Sequence, residues 1–247
     1  MTELKGCVAL VTGANRGVGR ALVDELLARG AAKVYAGART PDEADVPGAE
    51  VVQLDITDPA QVAAAAARCH DVNVLINNAG YHANTRLVVT PDPDAARREM
   101  EVNYFGTLEM TRAFAPVLGR NGGGAIVNVL SVAAVVPAAF MGGYSTSKAA
   151  TWFLSAITRA ELAEQGTQVT SLVLGSVDTR MASHVEGKKE DPRDIARTGL
   201  DAVEAGAQTF ATDKMAVDSM AAHAADPEGF ERLLGRLLHV TNLRAPG

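Results

Sequence analysis

Residues 7–30, CVALVTGANRGVGRALVDELLARG, decide the architecture. Cys7-Val8-Ala9-Leu10-Val11 is an uninterrupted apolar run, which suits a parallel strand covered on both faces. Thr12 to Gly19 forms a glycine-rich turn, and Arg20 to Arg29 carries Leu22, Leu26 and Leu27 at helical spacing before Gly30 ends the run. A strand, a tight turn and a helix in that order bring backbone amides and the helix N-terminus close to a pyrophosphate.

Outward from this unit the pattern repeats. Strands are predicted at Lys33–Ala38, Val51–Leu54, Val72–Ile76, Ala125–Leu130 and Gln168–Leu174. Helices are predicted at 59–68 with Asp58 as cap, at 93–119, and from Tyr144 to Glu164. Three more follow at 192–207, 214–225 and 227–240, while Thr40 to Glu50, with two prolines, reads as a loop or a vestigial helix. Alternating strands and helices predict an α/β fold with a parallel sheet, and 247 residues with 47% apolar content predict one domain over 1–247. A net charge of −6 with scattered basic residues argues against a nucleic-acid or anionic-membrane partner. Cys7 and Cys69 read as buried thiols of a reducing cytoplasm, in no metal-ligand pattern, and no export signal or membrane span is expected.

Chemistry concentrates in NVLSVAAVVPAAFMGGYSTSK, residues 128–148. Ser131 ends a buried strand, and Tyr144 and Lys148 lie one helical turn apart on a shared face. A fixed ammonium beside a phenol favours the phenolate, so Lys148 is expected to lower the Tyr144 pKa and make it a proton carrier. Ser131 is placed to hold a substrate oxygen against it. Asn103 and Gly106 both lower helix propensity inside the 93–119 helix.

TGANRGVG at 12–19, Asp55, NNAG at 77–80, Asn103, Ser131, YSTSK at 144–148 and GSVDT at 175–179 stand in the order of the short-chain dehydrogenase/reductase family, which the chain resembles over residues 6 to 180. The resemblance implies a single-domain Rossmann fold, a doubly wound parallel sheet of about seven strands. It implies Gly13, Gly17 and Gly19 at the pyrophosphate, Asp55 at the adenine, and Asn77 and Gly80 along the ribose and nicotinamide. Thr179 falls near the carboxamide, with Asn15, Arg16, Val18, Ile56, Ala79 and Val177 also at the cofactor. By the same resemblance Ser131 orients the carbonyl, Tyr144 exchanges the proton, Lys148 binds the nicotinamide ribose, and Asn103 holds a water leading to Lys148.

Arg39 follows the second strand where NAD-selective proteins usually carry an acidic residue; with Arg16 and Ala38 it predicts NADP(H) over NAD(H). The expected substrate wall is Tyr81, His82, Ala133, Val136, Phe140, Met141, Ser176 and Met181, mostly apolar, which points to a hydrophobic carbonyl compound. The reading is an NADPH-dependent ketone or aldehyde reductase, with a 3-oxoacyl-carrier-protein reductase or a non-catalytic NADP(H) sensor as alternatives. The resemblance also implies a homodimer or homotetramer through helices 95–118 and 145–164. Leu174 stands where the family usually has proline, and the usual final short strand with its glycine pair is not visible in the tail. Residues 181–190 read as an irregular segment that closes over substrate.

Overall fold

The computed structural model describes residues 2–238, with only the backbone of Glu43. These residues build a seven-stranded, all-parallel sheet in the order β3-β2-β1-β4-β5-β6-β7. The strands are β1 (Val8–Thr12), β2 (Lys33–Ala38), β3 (Glu50–Gln53), β4 (Val74–Asn77), β5 (Ala125–Ser131), β6 (Gln168–Leu174) and β7 (Thr209–Ala211). The winding direction reverses between β1 and β4, and the carboxyl ends there open the crevice in which such sheets bind ligands. Side-chain alternation divides the core between the two sheet faces. Ala9, Val11, Val74 and Ile76 meet α1 (Gly17–Ala28) and α6 (Pro192–Glu204), whereas Leu10, Leu75 and Ile126 meet α2 (Pro59–Arg68) and α4 (Thr107–Arg120) through Val62, Met110 and Phe114.

Local chemistry sets most helix starts. Asp58 accepts from the amides of Ala60 and Gln61 to cap α2, and Asp191 and Asp213 cap α6 and α7 (Lys214–Ala225) in the same manner. The loop after β2 holds a single 3₁₀ turn at Pro41–Glu43.

The expected 93–119 helix is three pieces. α3 (Ala95–Met100) passes into a π-helical turn at Glu101–Gly106 before α4 begins, so the propensity defect at Asn103 and Gly106 does distort the helix. α5 (Gly142–Glu161) starts two residues before Tyr144. Gly142 has φ 52°, and a side chain there would strike the Thr85 carbonyl, so only glycine opens this helix.

The tail corrects the sequence reading. Thr209-Phe210-Ala211 pairs in parallel with Ser171–Val173, so the short final strand is present. It lacks an apolar run of its own and is held by β6. α8 (Pro227–Leu237) ends the described chain, and the expected helical positions His239 and Val240 lie outside the described residues.

Candidate active site

The glycine turn is shaped to receive an anion. Gly13 and Gly17 have φ of 64° and 56°, and a methyl at Gly19 would lie 2.3 Å from the Gly13 carbonyl oxygen. α1 has neither a side-chain cap nor an acidic residue in its first turn, which leaves its N-terminal amides facing the crevice. Thr12 locks the turn to β4. Its hydroxyl accepts from the amides of Asn78 and Ala79 at 3.0 and 2.9 Å, while Asn78 Nδ2 donates to the Thr12 carbonyl at 2.9 Å. Thr12 and Asn78 were not singled out as site residues, though both lie inside the quoted motifs.

The other expected cofactor positions line the same sheet end. Thr179 packs on the turn, since a methyl at Gly17 would lie 3.1 Å from its Cγ2. Val18 packs against the core that contains Val177, and Asn15 is half-buried in the turn. Asp55 follows β3, one of its oxygens accepting from the amide and hydroxyl of Thr57, and Ile56 is buried against Gly106. Asn77 Nδ2 donates to Asn128, whereas Asn77 Oδ1 is buried without a partner among the described residues. Arg16 and Arg39 are exposed, and neither side chain has an ion pair among the described residues. Glycines that exclude a Cβ, free helix amides and an orphaned acceptor fit a dinucleotide.

β5 and α5 bring the expected catalytic side chains together. Ser131, Tyr144, Lys148 and Asn103 are all buried. Lys148 Nζ donates to the Val129 carbonyl at 2.9 Å and lies 5.8 Å from the Tyr144 ring centre. Burial pulls the lysine pKa down to about 8. Burial also pushes Tyr144 up to about 12, opposed by a hydrogen bond with Ser131 and reinforced by the charge of Glu99. The Lys148 ammonium is turned to the Val129 carbonyl, and desolvation is the largest influence on the phenol.

Asn103 clamps the loop after β4 to α5. Its Oδ1 accepts from the Tyr81 amide at 2.8 Å, and its Nδ2 donates to the Tyr81 carbonyl and to Ser147 Oγ at 2.9 and 2.8 Å. Its own carbonyl accepts from both Thr107 and Thr151. Gly80 sits over this clamp, where a methyl would lie 3.2 Å from Asn103 Oδ1 and 3.6 Å from Lys148 Nζ.

Ala133, Ala138, Phe140 and Met141 pack around Tyr144. The His82 ring lies 4.7 Å from the Tyr144 ring and 5.6 Å from that of His184. His82 is thus a wall of the tyrosine pocket. Ser176 Oγ is buried without a partner among the described residues. Val136 is buried, Met181 is 44% exposed in a 3₁₀ turn, and the Tyr81 hydroxyl turns toward Arg98; none of the three is brought against Tyr144 by a described contact. Two further residues join the site. His184 lay in the irregular 181–190 segment, and Glu99 carried no sequence signal. Glu99 is fully buried, accepts from the Ala83 amide at 2.8 Å, and has its pKa raised by burial.

Leu174 leaves the next loop well tied. The Gly175 amide donates to Asp213 Oδ2 at 2.7 Å, and Asp213 also caps α7. The 181–190 segment is clamped at its base by the Val177–Glu190 bridge and the Lys189–Asp178 ion pair.

A doubly wound parallel sheet with a glycine turn at its switch point and a buried Ser-Tyr-Lys group beside it defines a dinucleotide-dependent oxidoreductase. Residues 7–190 match the short chain dehydrogenase family, and the chain belongs to it. It is 32% identical over 197 residues to bovine dehydrogenase/reductase SDR family member 7B, covering 72% of this chain but only 60% of that protein. It is 32% identical to the short chain dehydrogenase mpl6 of Monascus purpureus, covering 83% of this chain and 74% of the relative. A short chain dehydrogenase from Burkholderia cenocepacia, solved in complex with NADP, is 45% identical with a TM-score of 0.90, over 94% of this chain and 98% of that one.

No helix among the described residues is long and apolar enough to cross a membrane. Cys7 and Cys69 are buried free thiols.

Proposed function

We propose that the chain reduces a hydrophobic ketone or aldehyde to an alcohol with NADPH, reversibly. The observation that carries this reading is the convergence of Ser131, Tyr144 and Lys148 in one buried pocket at the sheet end that carries the glycine turn. Bound NADPH would supply a hydride to the carbonyl carbon. Tyr144 gives the proton to the carbonyl oxygen, for which a phenol kept protonated is suited. Ser131 orients that oxygen, and Lys148 holds the ribose of the cofactor and a positive charge beside the tyrosine. Gly13, Gly17 and Gly19 admit the pyrophosphate, Asp55 the adenine, and Asn77 Oδ1 meets a donor from the ligand.

NADP(H) is the preferred cofactor in this reading, because Arg16 and Arg39 flank the crevice where a 2′-phosphate lies and Ala38 leaves no carboxylate to repel it. The similar Burkholderia cenocepacia protein was solved with NADP, in keeping with this. The apolar surround of Tyr144 favours a hydrophobic substrate. A groove between α4 and α5, lined by Tyr104, Leu108, Phe153, Leu154 and Ile157, supports assembly into a homodimer or homotetramer. Phe153 points outward, 68% exposed, while Thr151, Leu154 and Ser155 face inward.

The test is NADPH consumption with ketones, aldehydes, quinones and oxo-steroids. Tight NADPH binding with no turnover of any of them would favour the sensor instead.

A further inference from the structure

His82 combines three features that a filler residue does not need. Its Nε2 is buried with no partner among the described residues, its ring lies against Tyr144, and the backbone on either side of it is pinned. The pins are Asn103 on both polar groups of the Tyr81 backbone and Glu99 on the Ala83 amide. Fixing a loop at both flanks of one residue sets that side chain's position, as recognition groups require. A buried nitrogen left unpaired costs stability, so a retained one is suited to a partner that arrives with the ligand. Ser176 Oγ is a second orphaned polar atom at this end of the sheet, two residues beyond the Leu174 that pairs with Ser131. Apolar packing from Ala133, Ala138, Phe140 and Met141 covers the rest of the tyrosine.

We propose that His82 is a specificity-determining residue that hydrogen-bonds a second oxygen of the substrate, one carried close to the reacting carbonyl, so that hydroxy ketones and dicarbonyl compounds are preferred over simple hydrocarbon ketones. This rests on the reading that a carbonyl compound binds at Tyr144. Burial and the neighbouring His184 hold the His82 pKa down at about 4, so near neutral pH the imidazole is uncharged and offers one donor and one acceptor. Either a hydroxyl or a second carbonyl satisfies it.

The matched probes are 1-phenylpropan-1-one and 2-hydroxy-1-phenylpropan-1-one, which differ by one hydroxyl beside the carbonyl. Binding of each to NADP-saturated protein is measured by calorimetry, and turnover of each with NADPH is measured separately, for the unmutated chain and for His82→Phe. Phenylalanine keeps the ring and its packing and removes the nitrogens. The unmutated protein is expected to bind the hydroxy ketone about tenfold more tightly, and His82→Phe to lose that preference while binding the plain ketone within about twofold of the unmutated protein. No preference in the unmutated protein, or the same preference in His82→Phe, overturns the assignment, whether or not either compound is reduced. A preference that vanishes in His82→Phe without turnover of either compound upholds the His82 role and counts against the reductase reading.

Discussion

Asn103 holds Tyr81 by both of its backbone polar groups, amide and carbonyl, and holds Ser147 with the remaining Nδ2 hydrogen. One side chain in the π turn thereby joins the loop after β4 to α5, the helix that carries Tyr144 and Lys148. A π turn widens the helix locally, and it presents Asn103 to α5 while Gly106 fits against Ile56. Replacing Asn103 with alanine removes the partners of the Tyr81 amide and carbonyl, while Ser147 Oγ keeps its bond to the Tyr144 carbonyl, and is expected to destabilise the fold by about 2–3 kcal/mol. Urea unfolding checks this, and a loss below about 0.5 kcal/mol would show that these bonds do not hold the loop.

Much of the architecture is legible because its signals are local. The apolar run before TGANRGVG, the prolines and aspartates at helix starts, and the spacing of Tyr144 and Lys148 all depend on residues within one or two turns. β7 is different: Thr209-Phe210-Ala211 exists through its pairing with β6, which no window of sequence reveals. The π turn is half legible, since Asn103 and Gly106 mark a defect but not its form. Glu99 and His184 carry no legible signal because their neighbours come from other elements, and the desolvation of Tyr144 depends on the whole pocket.

Tyr144→Phe removes the proposed proton donor while keeping the ring that packs on Ala133, Ala138 and His82. Turnover is expected to fall by about 10²- to 10⁴-fold with NADPH binding nearly intact. A purified variant that keeps more than roughly a tenth of the activity would remove Tyr144 from its proposed role.

Lys148 links stability to alkaline pH. Its pKa is about 8 in the folded chain against 10.5 for an unperturbed lysine, so between these values the unfolded chain binds the additional proton. Stability therefore rises with pH across that window, and the full cost of the buried ammonium is present below pH 8. Relative to Lys148→Met, the unmutated chain is expected to gain up to about 3 kcal/mol across this range. Denaturant unfolding of both proteins at several pH values measures the difference, and a flat difference refutes the depressed lysine.

Phe153 and Ile157, 68% and 54% exposed on α5, border the groove beside α4. Such apolar exposure on one helix face suits a partner subunit. Phe153→Asp is expected to leave the monomer fold intact, because the side chain points away from the sheet, and to lower the mass seen by light scattering at micromolar concentration. An unmutated protein that is already monomeric rejects this interface.

The proposed preference for NADPH rests on Arg39. It follows β2 at the crevice, exposed and without an ion pair among the described residues, beside a buried Ala38. The 2′-phosphate of NADPH brings about two negative charges near neutral pH. A charged hydrogen bond contributes about 1.5–3 kcal/mol, so one arginine accounts for roughly 10- to 150-fold discrimination. Arg16, in the turn before α1, adds a second positive charge at the same crevice. Arg39→Ala is expected to raise KM for NADPH by that order while leaving KM for NADH nearly unchanged. Initial rates with both cofactors decide the matter: equal efficiency with NADH and NADPH in the unmutated protein would mean that these arginines do not select the phosphate.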